Sequence, residues 1–300
     1  MYPLFYHEPK RKLAVGVSKV GGEPDLPASI EWPDGLDDKG KKRGKAEFLA
    51  QFNLAELPPI KDPDLPRTGH LWLFVQNTLL TEAPNVIFYR DGKEPLKPRP
   101  KPQSTNPPTE YGWRDLKPAS LTFQAGVSLP LSSSKFRRKF ETLSNELDEL
   151  HTLMTAGPDD EHETIDGQLG GYSFQAEVDL ARQYAIEEMG KADFISADAW
   201  SSVEQLEGQI KNGLPFLKGD KLKAYQNELR KNLTPLKWIV KNDKEIQARA
   251  DALQLLCMFR PNYGIDLEFG DGMYLDFLMH REDLAKRDFS NVYCNLPMLL

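Results

Sequence analysis

Five histidines, two cysteines and one lysine-rich glycine stretch are the first residues to weigh for chemistry. His7, His70, His151, His162 and His280 form no HExxH pair, and none stands at metal-ligand spacing from Cys257 or Cys294. His162 lies among Asp159, Asp160, Glu161 and Glu163, an oxygen-rich setting for a hard cation, but the alternating ligands and turn glycine of a calcium loop are missing. That stretch reads as a solvated acidic loop, and neither a metal nor any other cofactor is expected. Gly40-Lys41-Lys42-Arg43-Gly44-Lys45 resembles a phosphate loop, yet it has one residue too few between its glycines, and Ala46 stands where Ser or Thr would bind magnesium. There is no GxSxG elbow, and Cys257 sits in an apolar run without a histidine nearby, so it reads as an inert core thiol. No catalytic residue is assigned.

The informative polar residues are those inside apolar runs. Gln51 interrupts FLAQF and Gln175 closes GGYSFQ. On a solvent face a strand glutamine needs nothing; buried, it must find both donors and acceptors. Under the two Gly-Gly loops that precede them, Gln51 and Gln175 would pin the loops to a sheet or line a cleft between two halves. Asp271, between two glycines, is expected to shape a turn through an Asx-type bond. Trp32 and Trp72 supply either an apolar wall for a ligand or core packing.

The elements that must position these residues follow from periodicity. Residues 13–33 read as a short strand and a Gly/Pro-punctuated loop, because Pro24, Pro27 and Pro33 forbid a helix. Residues 35–45 read as a hairpin tip. Strands are expected at 47–54, 70–75, 85–89, within 116–131, at 252–260 and at 272–278. Seven prolines between 91 and 118 leave an extended loop. Phe136, Phe140, Leu143, Leu147, Leu150 and Met154 make one apolar stripe, which predicts a helix over 134–155 that a serine caps and Gly157-Pro158 ends. Further helices are expected at 176–189, 199–211, 221–230 and 234–250, the last with Thr234 as cap and Pro235 in the first turn.

Two series then match in order. Gly21-Gly22, FLAQF at 48–52 and Gly69-led HLWLF are followed later by Gly170-Gly171, LLCMF at 255–259 and Gly272-led MYLDF. The pattern is that of an internal duplication with pseudo-twofold symmetry, a first half of about 1–133 and a second of about 165–300 joined by the 134–155 helix. The expected class is α+β, with twisted, mostly antiparallel sheets and an all-helical insertion at about 179–250.

Charge narrows the partner. The chain carries 38 Lys+Arg against 45 Asp+Glu, a net −7. Residues 39–45 carry +5 and residues 93–118 carry +3, so the chain's net −7 leaves about −15 elsewhere. Most of its surface would repel a polyanion, which argues against nucleic acid and favours a basic protein. Among the acidic residues, Glu187, Glu188, Asp193, Asp198, Glu204 and Glu207 fall close together in the helical stretch and are candidates for partner contact. No run is long enough for a membrane helix, the opening MYPLFYHEPKRK has no secretory pattern, and two cysteines make no disulfide framework, so a cytoplasmic protein is expected.

The same segments resemble the YwqG-like family. The match is carried by SKVGGEPDLP at 18–27 with Trp32-Pro33, FLAQFNL at 48–54 with Leu57-Pro58, GHLWLFV at 69–75, Leu169-Gly170-Gly171-Tyr172 with Gln175, Leu255-Leu256, FGDGMY at 269–274, Asp283-Leu284 and Asp288-Phe289-Ser290. Two departures are Ser173 where the family often has proline after Gly-Tyr, and a longer, helical link before Leu255-Leu256. The resemblance implies an α+β fold of twisted antiparallel sheets, no established activity, and an immunity-like role beside secreted-toxin loci. The resulting expectation is a non-catalytic, cytosolic protein that occupies a surface of another protein, in concrete form a basic toxin domain encoded nearby. The alternative is an enzyme or small-ligand binder with a polar cleft between the halves, held by Gln51, Gln175 and Asp271.

Overall fold

Strands dominate where the sequence alternates or runs apolar, and in the computed structural model ten of them, among the described residues, join into one sheet. The structure describes residues 1–36, 41–60, 65–75, 86–102, 116–131, 133, 136, 139–143, 145–147, 149, 165–173, 179–190, 199–213, 217–267 and 274–295. The sheet strands are β1 (Tyr2–His7), β2 (Lys19–Val20), β6 (Glu47–Asn53), β7 (His70–Val75), β8 (Val86–Arg90), β10 (Ala119–Phe123), β11 (Gly167–Leu169), β12 (Leu253–Phe259), β13 (Leu275–His280) and β14 (Val292–Asn295). Two small antiparallel pairs stand beside it: β3 (Asp25–Leu26) with β9 (Lys97–Pro98), and β4 (Asp34–Leu36) with β5 (Lys42–Lys45). The second is the expected basic hairpin. Lys42 and Lys45 bond the Asp34 carboxylate at 2.5 and 2.6 Å and hold it down at about 2.

The sheet has two inner faces at β6 and β7, which is why these strands read as nearly continuous apolar runs. Along β7, Leu71, Leu73 and Val75 enter one core with Tyr2, Leu4, Phe52 and Phe259, while Trp72 and Phe74 enter another with Leu26, Ile30, Trp32 and Phe48. Residues 23–36 and 46 therefore cover the second face.

Its centre is the antiparallel pair β1–β10, in register at Phe5↔Thr122. Outward from it run β2, β6, β7 and β8 on one side and β11, β12, β13 and β14 on the other. Each side opens on a Gly-Gly loop in left-handed backbone, Gly21-Gly22 (φ 66° and 66°) and Gly170-Gly171 (φ 66° and 82°). In each, the first glycine donates to the neighbouring long strand, Gly21 N to Leu49 O at 2.8 Å and Gly170 N to Leu256 O at 2.9 Å.

By contact density the chain divides into a sheet unit (Met1–Leu129, Glu149–Ser173, Gln254–Leu300) and a second unit (Pro130–Asp148, Phe174–Leu253). The second is helical: α1 (Leu180–Glu188), α2 (Ala199–Asn212), α3 (Gly219–Lys241) and α4 (Asp243–Ala252). Asp179 caps α1 through Arg182 N, and Ala185, Ile186, Ile239, Ile246 and Ala250 form the core where α1, α3 and α4 meet. A short helix, α5 (Arg281–Lys286), follows β13 in the sheet unit.

Several expectations change. Residues 13–18 are not a strand: Gly16 turns the chain at φ 83°, and only Lys19–Val20 pair. β1, β11 and β14 were not expected, since each is short or opens the chain without an alternating pattern. Within 116–131 only Ala119–Phe123 is a strand. Of the helix expected at 134–155, residues 136, 139, 145–147 and 149 are helical, a 3-10 turn stands at Glu141–Leu143, where Leu143 N bonds Phe140 O, and residues 150–155, with Leu150 and Met154, lie outside the described residues. Thr234 caps nothing: Pro235 stands inside the 23-residue α3, and Thr234 Oγ1 donates to Arg230 O at 3.1 Å. Buried Leu229, Leu233 and Ile239 hold the helix together on both sides of the missing N–H.

Gly167 lies between β1 and β12, and a Cβ there would sit 2.3 Å from Met258 O and 2.8 Å from a Leu4 methyl. Gly167→Ala is expected to cost about 2–3 kcal/mol, the scale of overpacking a tight core. Urea unfolding followed by circular dichroism measures it, and an unchanged midpoint would contradict this packing.

Candidate functional site

Gln51 settles its own role by its bonds. It is fully buried on β6. Its Oε1 accepts from Asp25 N at 2.8 Å and Trp72 Nε1 at 3.2 Å, and its Nε2 donates to Val17 O at 2.8 Å and Asp25 Oδ2 at 3.0 Å. Asp25 Oδ2 also accepts from Gly16 N at 3.0 Å and from Lys19 Nζ at 2.8 Å, an ion pair with side chains only 8% and 2% exposed. Trp72 Nε1 donates to Asp25 O at 2.9 Å as well. His70 stacks on Trp72 with ring centres 5.5 Å apart and bonds Gly16 O through Nε2 at 2.9 Å; a carbonyl only accepts, so the proton is on Nε2. This knot ties the loop from 16 to 25 to the sheet. It leaves Gln51 no role in a cleft: the glutamine pins the first Gly-Gly loop. Trp32 is likewise structural, donating from Nε1 to Ala46 O at 2.9 Å and meeting Phe74 edge-on at 5.3 Å.

A second node closes the far end of β1. Asp166 accepts from Tyr6 N at 2.6 Å and from Asn262 Nδ2 at 2.8 Å, and Arg260 N bonds its carbonyl at 2.8 Å. Burial lifts the Asp166 carboxyl above its ordinary value, against the opposing pull of those bonds. Burial also lifts the Tyr6 hydroxyl and the Cys257 thiol well above theirs, the reverse of what a reactive thiol needs.

The sheet unit has a cleft of about 690 Å³ at the other Gly-Gly loop. Met1, Ile60, Leu65, Val127 and Leu255 give it apolar walls, and Gly170, Gly171 and Tyr172 form one side. That side is held from within. Buried Gln168 donates through Nε2 to Gly170 O at 3.1 Å and Tyr172 O at 2.6 Å, and Tyr172 N donates to Ser128 Oγ at 3.1 Å. Arg281, the first residue of α5, borders the cleft with Gln254, to whose Oε1 it donates at 2.8 Å. Val127 is 79% exposed and Tyr172 42%, large apolar groups left to solvent beside the opening.

Three of the acidic candidates in the helical unit have partners within that unit. Glu207 pairs with Lys237 at 2.6 Å, Glu188 lies 3.9 Å from Arg249, and Glu187 accepts from Gln183 at 3.2 Å. Glu204 is exposed. Residues 130–148 and 174–253 hold 16 Lys+Arg and 16 Asp+Glu, so this unit is neutral and the net −7 belongs to the sheet unit. The acidic face expected there does not exist as a net charge, because basic residues of α3 and α4 balance the acids before them. Gln175, Asp271, Asp193 and Asp198 lie outside the described residues. Gln168, Arg281, Tyr172 and Val127 were not foreseen; the Gly-Gly-Tyr loop was visible, but an arginine opening a short helix carries no signal of its own. Among the described residues no three His, Cys, Asp or Glu side chains form a group able to hold a metal ion, and no helix is long and apolar enough to cross a membrane.

The family model DUF1963, described as a domain of unknown function, matches residues 18–297, and the chain belongs to that family. No curated protein matches it.

Two outcomes test the nodes. Asp25→Ala, which leaves Lys19 buried without its carboxylate, is expected to cost about 3–5 kcal/mol in urea unfolding. For Asp166 the raised folded value means that the native state holds the proton more tightly, so stability falls as pH rises from the ordinary value of 3.8 through the higher folded one. Carbon-13 titration of the carboxyl should show a midpoint above 3.8 in the folded protein.

Proposed function

We propose that this member of the DUF1963 family is a non-catalytic binding protein of the cytoplasm, which acts by holding a surface of another protein at the Gly170–Tyr172 cleft. In concrete form it is an immunity-type protein that neutralises a basic, co-encoded secreted toxin. The observation that carries the reading is the contrast between its two Gly-Gly loops. At the first, Gln51, Asp25, Lys19 and Trp72 use one another up in a closed knot. At the second, a cleft stays open beside exposed Val127 and Tyr172, and apolar groups in such a setting mark recognition surfaces. A net −7 residing in the sheet unit would steer a basic partner toward the cleft's own unit.

The YwqG-like resemblance and the internal duplication belong to the same proposal. The mirrored strand order about β1–β10 and the matching Gly21–Leu49 and Gly170–Leu256 bonds support a repeat whose first strands have changed places, β1 lying beside β11 and β10 beside β2. On that reading the helices near 179–250 are an insertion into the second repeat. One observation favours a small molecule instead: a volume of about 690 Å³ is within the usual range for ligand pockets.

Calorimetric titration of the chain with the purified product of its neighbouring reading frame tests the proposal. A complex of micromolar affinity or better is expected, weakened roughly tenfold or more by Tyr172→Ala and by Val127→Arg, both on exposed positions. Its association rate should fall with added salt. Absence of a complex, or one indifferent to both substitutions, overturns the assignment.

A further inference from the structure

We infer that the backbone edge at Ala125 and Val127 receives an extended segment of the partner, which joins the sheet as an antiparallel strand and turns apolar side chains into the cleft at alternate positions. The inference rests on the protein-binding reading and deepens it, by naming the form in which the partner binds.

The edge arises because the neighbours of β10 stop at different places. Along β1, β10 continues beyond Phe123: Gln124 N donates to Pro3 O at 3.2 Å, and Gly126 and Met1 exchange bonds at 3.2 and 3.3 Å. On its other side β2 is short. The bond of Leu121 N to Ser18 O at 3.1 Å is the last between them among the described residues. Two residues before Ser18, Gly16 turns the chain at φ 83°, its N–H held by Asp25 at 3.0 Å and its carbonyl by His70 at 2.9 Å. The knot around Gln51 thus draws this chain away from β10.

Successive residues of an antiparallel strand point their N–H and C=O groups to opposite sides. Gln124 and Gly126 face β1, so Ala125 and Val127 face away from it, and among the described residues nothing bonds their backbone. Both are exposed. At one end of the sheet β8 carries a guard, since Arg90 Nη1 donates to the Tyr89 carbonyl at 2.7 Å. No described side chain does the same for Ala125 or Val127.

Side-chain direction fixes the chemistry of the incoming strand. Ala119 and Leu121 enter the core, Phe123 packs against it, and Ala125 and Val127 continue the same face into the cleft beside Ile60 and Leu65. In an antiparallel strand paired with them, the residues whose N–H groups meet this edge lie on that same face. Those residues are apolar. The ones between them turn away from the cleft, and the net −7 of the sheet unit favours lysine or arginine there. Main-chain bonds supply the affinity and alternate side chains the selection, as in other additions of a strand to a sheet edge.

Fluorescence anisotropy with a labelled, amide-ended Lys-Ile-Lys-Val-Lys-Ile peptide reads the edge directly. N-methylation of its Ile and Val residues is expected to weaken binding at least about tenfold, and N-methylation of its lysines to leave it unchanged. On the protein, Ala125→Pro removes one outward N–H without touching a bond to β1, a change that a strand edge tolerates. It should weaken the parent peptide about tenfold at an unchanged melting temperature. Methylated peptides that both bind as the parent does, a loss from lysine methylation instead, or no binding of the parent overturn the inference. Those readouts use the native chain and stand whether or not the proline variant folds. Edge-selective peptide binding without a partner complex keeps the edge and removes the co-encoded partner. A partner complex lost with Tyr172→Ala yet indifferent to Ala125→Pro removes the added strand and keeps the protein-binding reading.

Discussion

A sheet strand covered on both faces can tolerate a polar side chain only if every one of its hydrogen-bonding atoms is met inside the protein. Gln51 is that side chain, and much of the first half of the sheet unit is arranged around it. Its two ends reach Val17, Asp25 and Trp72, residues far apart in sequence and brought to one point because the loop after Gly16 folds back over β6 and β7. Asp25 then needs a cation, and Lys19 supplies it from the neighbouring short strand. The loop could not lie there without the glutamine, and the second apolar face of β7 would be bare without the loop.

The long apolar strands were legible because burial on one or both faces leaves a direct trace in residue type. The bounds of β7 fall where periodicity puts them, and β6, β12 and the chain over α2 differ by a residue or two. What periodicity missed has a common cause. β11 and β14 have too few residues to show a period, and the importance of β1 and β10 lies in pairing across more than a hundred residues, which no local pattern encodes. Pro235 misled because the rule that places proline at a helix start is local, while Leu229, Leu233 and Ile239 decide the matter by packing.

For the candidate site the balance is different. Gln51 and Trp72 were conspicuous as residue types, and their bonds make them structural. Tyr172 was visible only as part of a glycine-rich loop, and Arg281 and Gln254 as ordinary polar residues, because a cleft is a property of chain segments meeting in space. The acidic run before α3 misled for a related reason: local charge was counted without the lysines and arginines that α3 and α4 bring to the same unit.

One consequence reaches back to how the molecule is made. β1 pairs in the sheet with β10 and β11, so once synthesised it finds those neighbours only when residues 119–123 and 167–169 have followed. Until then its Tyr-Pro-Leu-Phe edge is an unsatisfied template. Topology of this kind folds slowly, since distant segments must meet before any contact rewards them. A nascent chain of this protein therefore has a window in which a chaperone, or a neighbouring chain, competes for the middle of its own sheet.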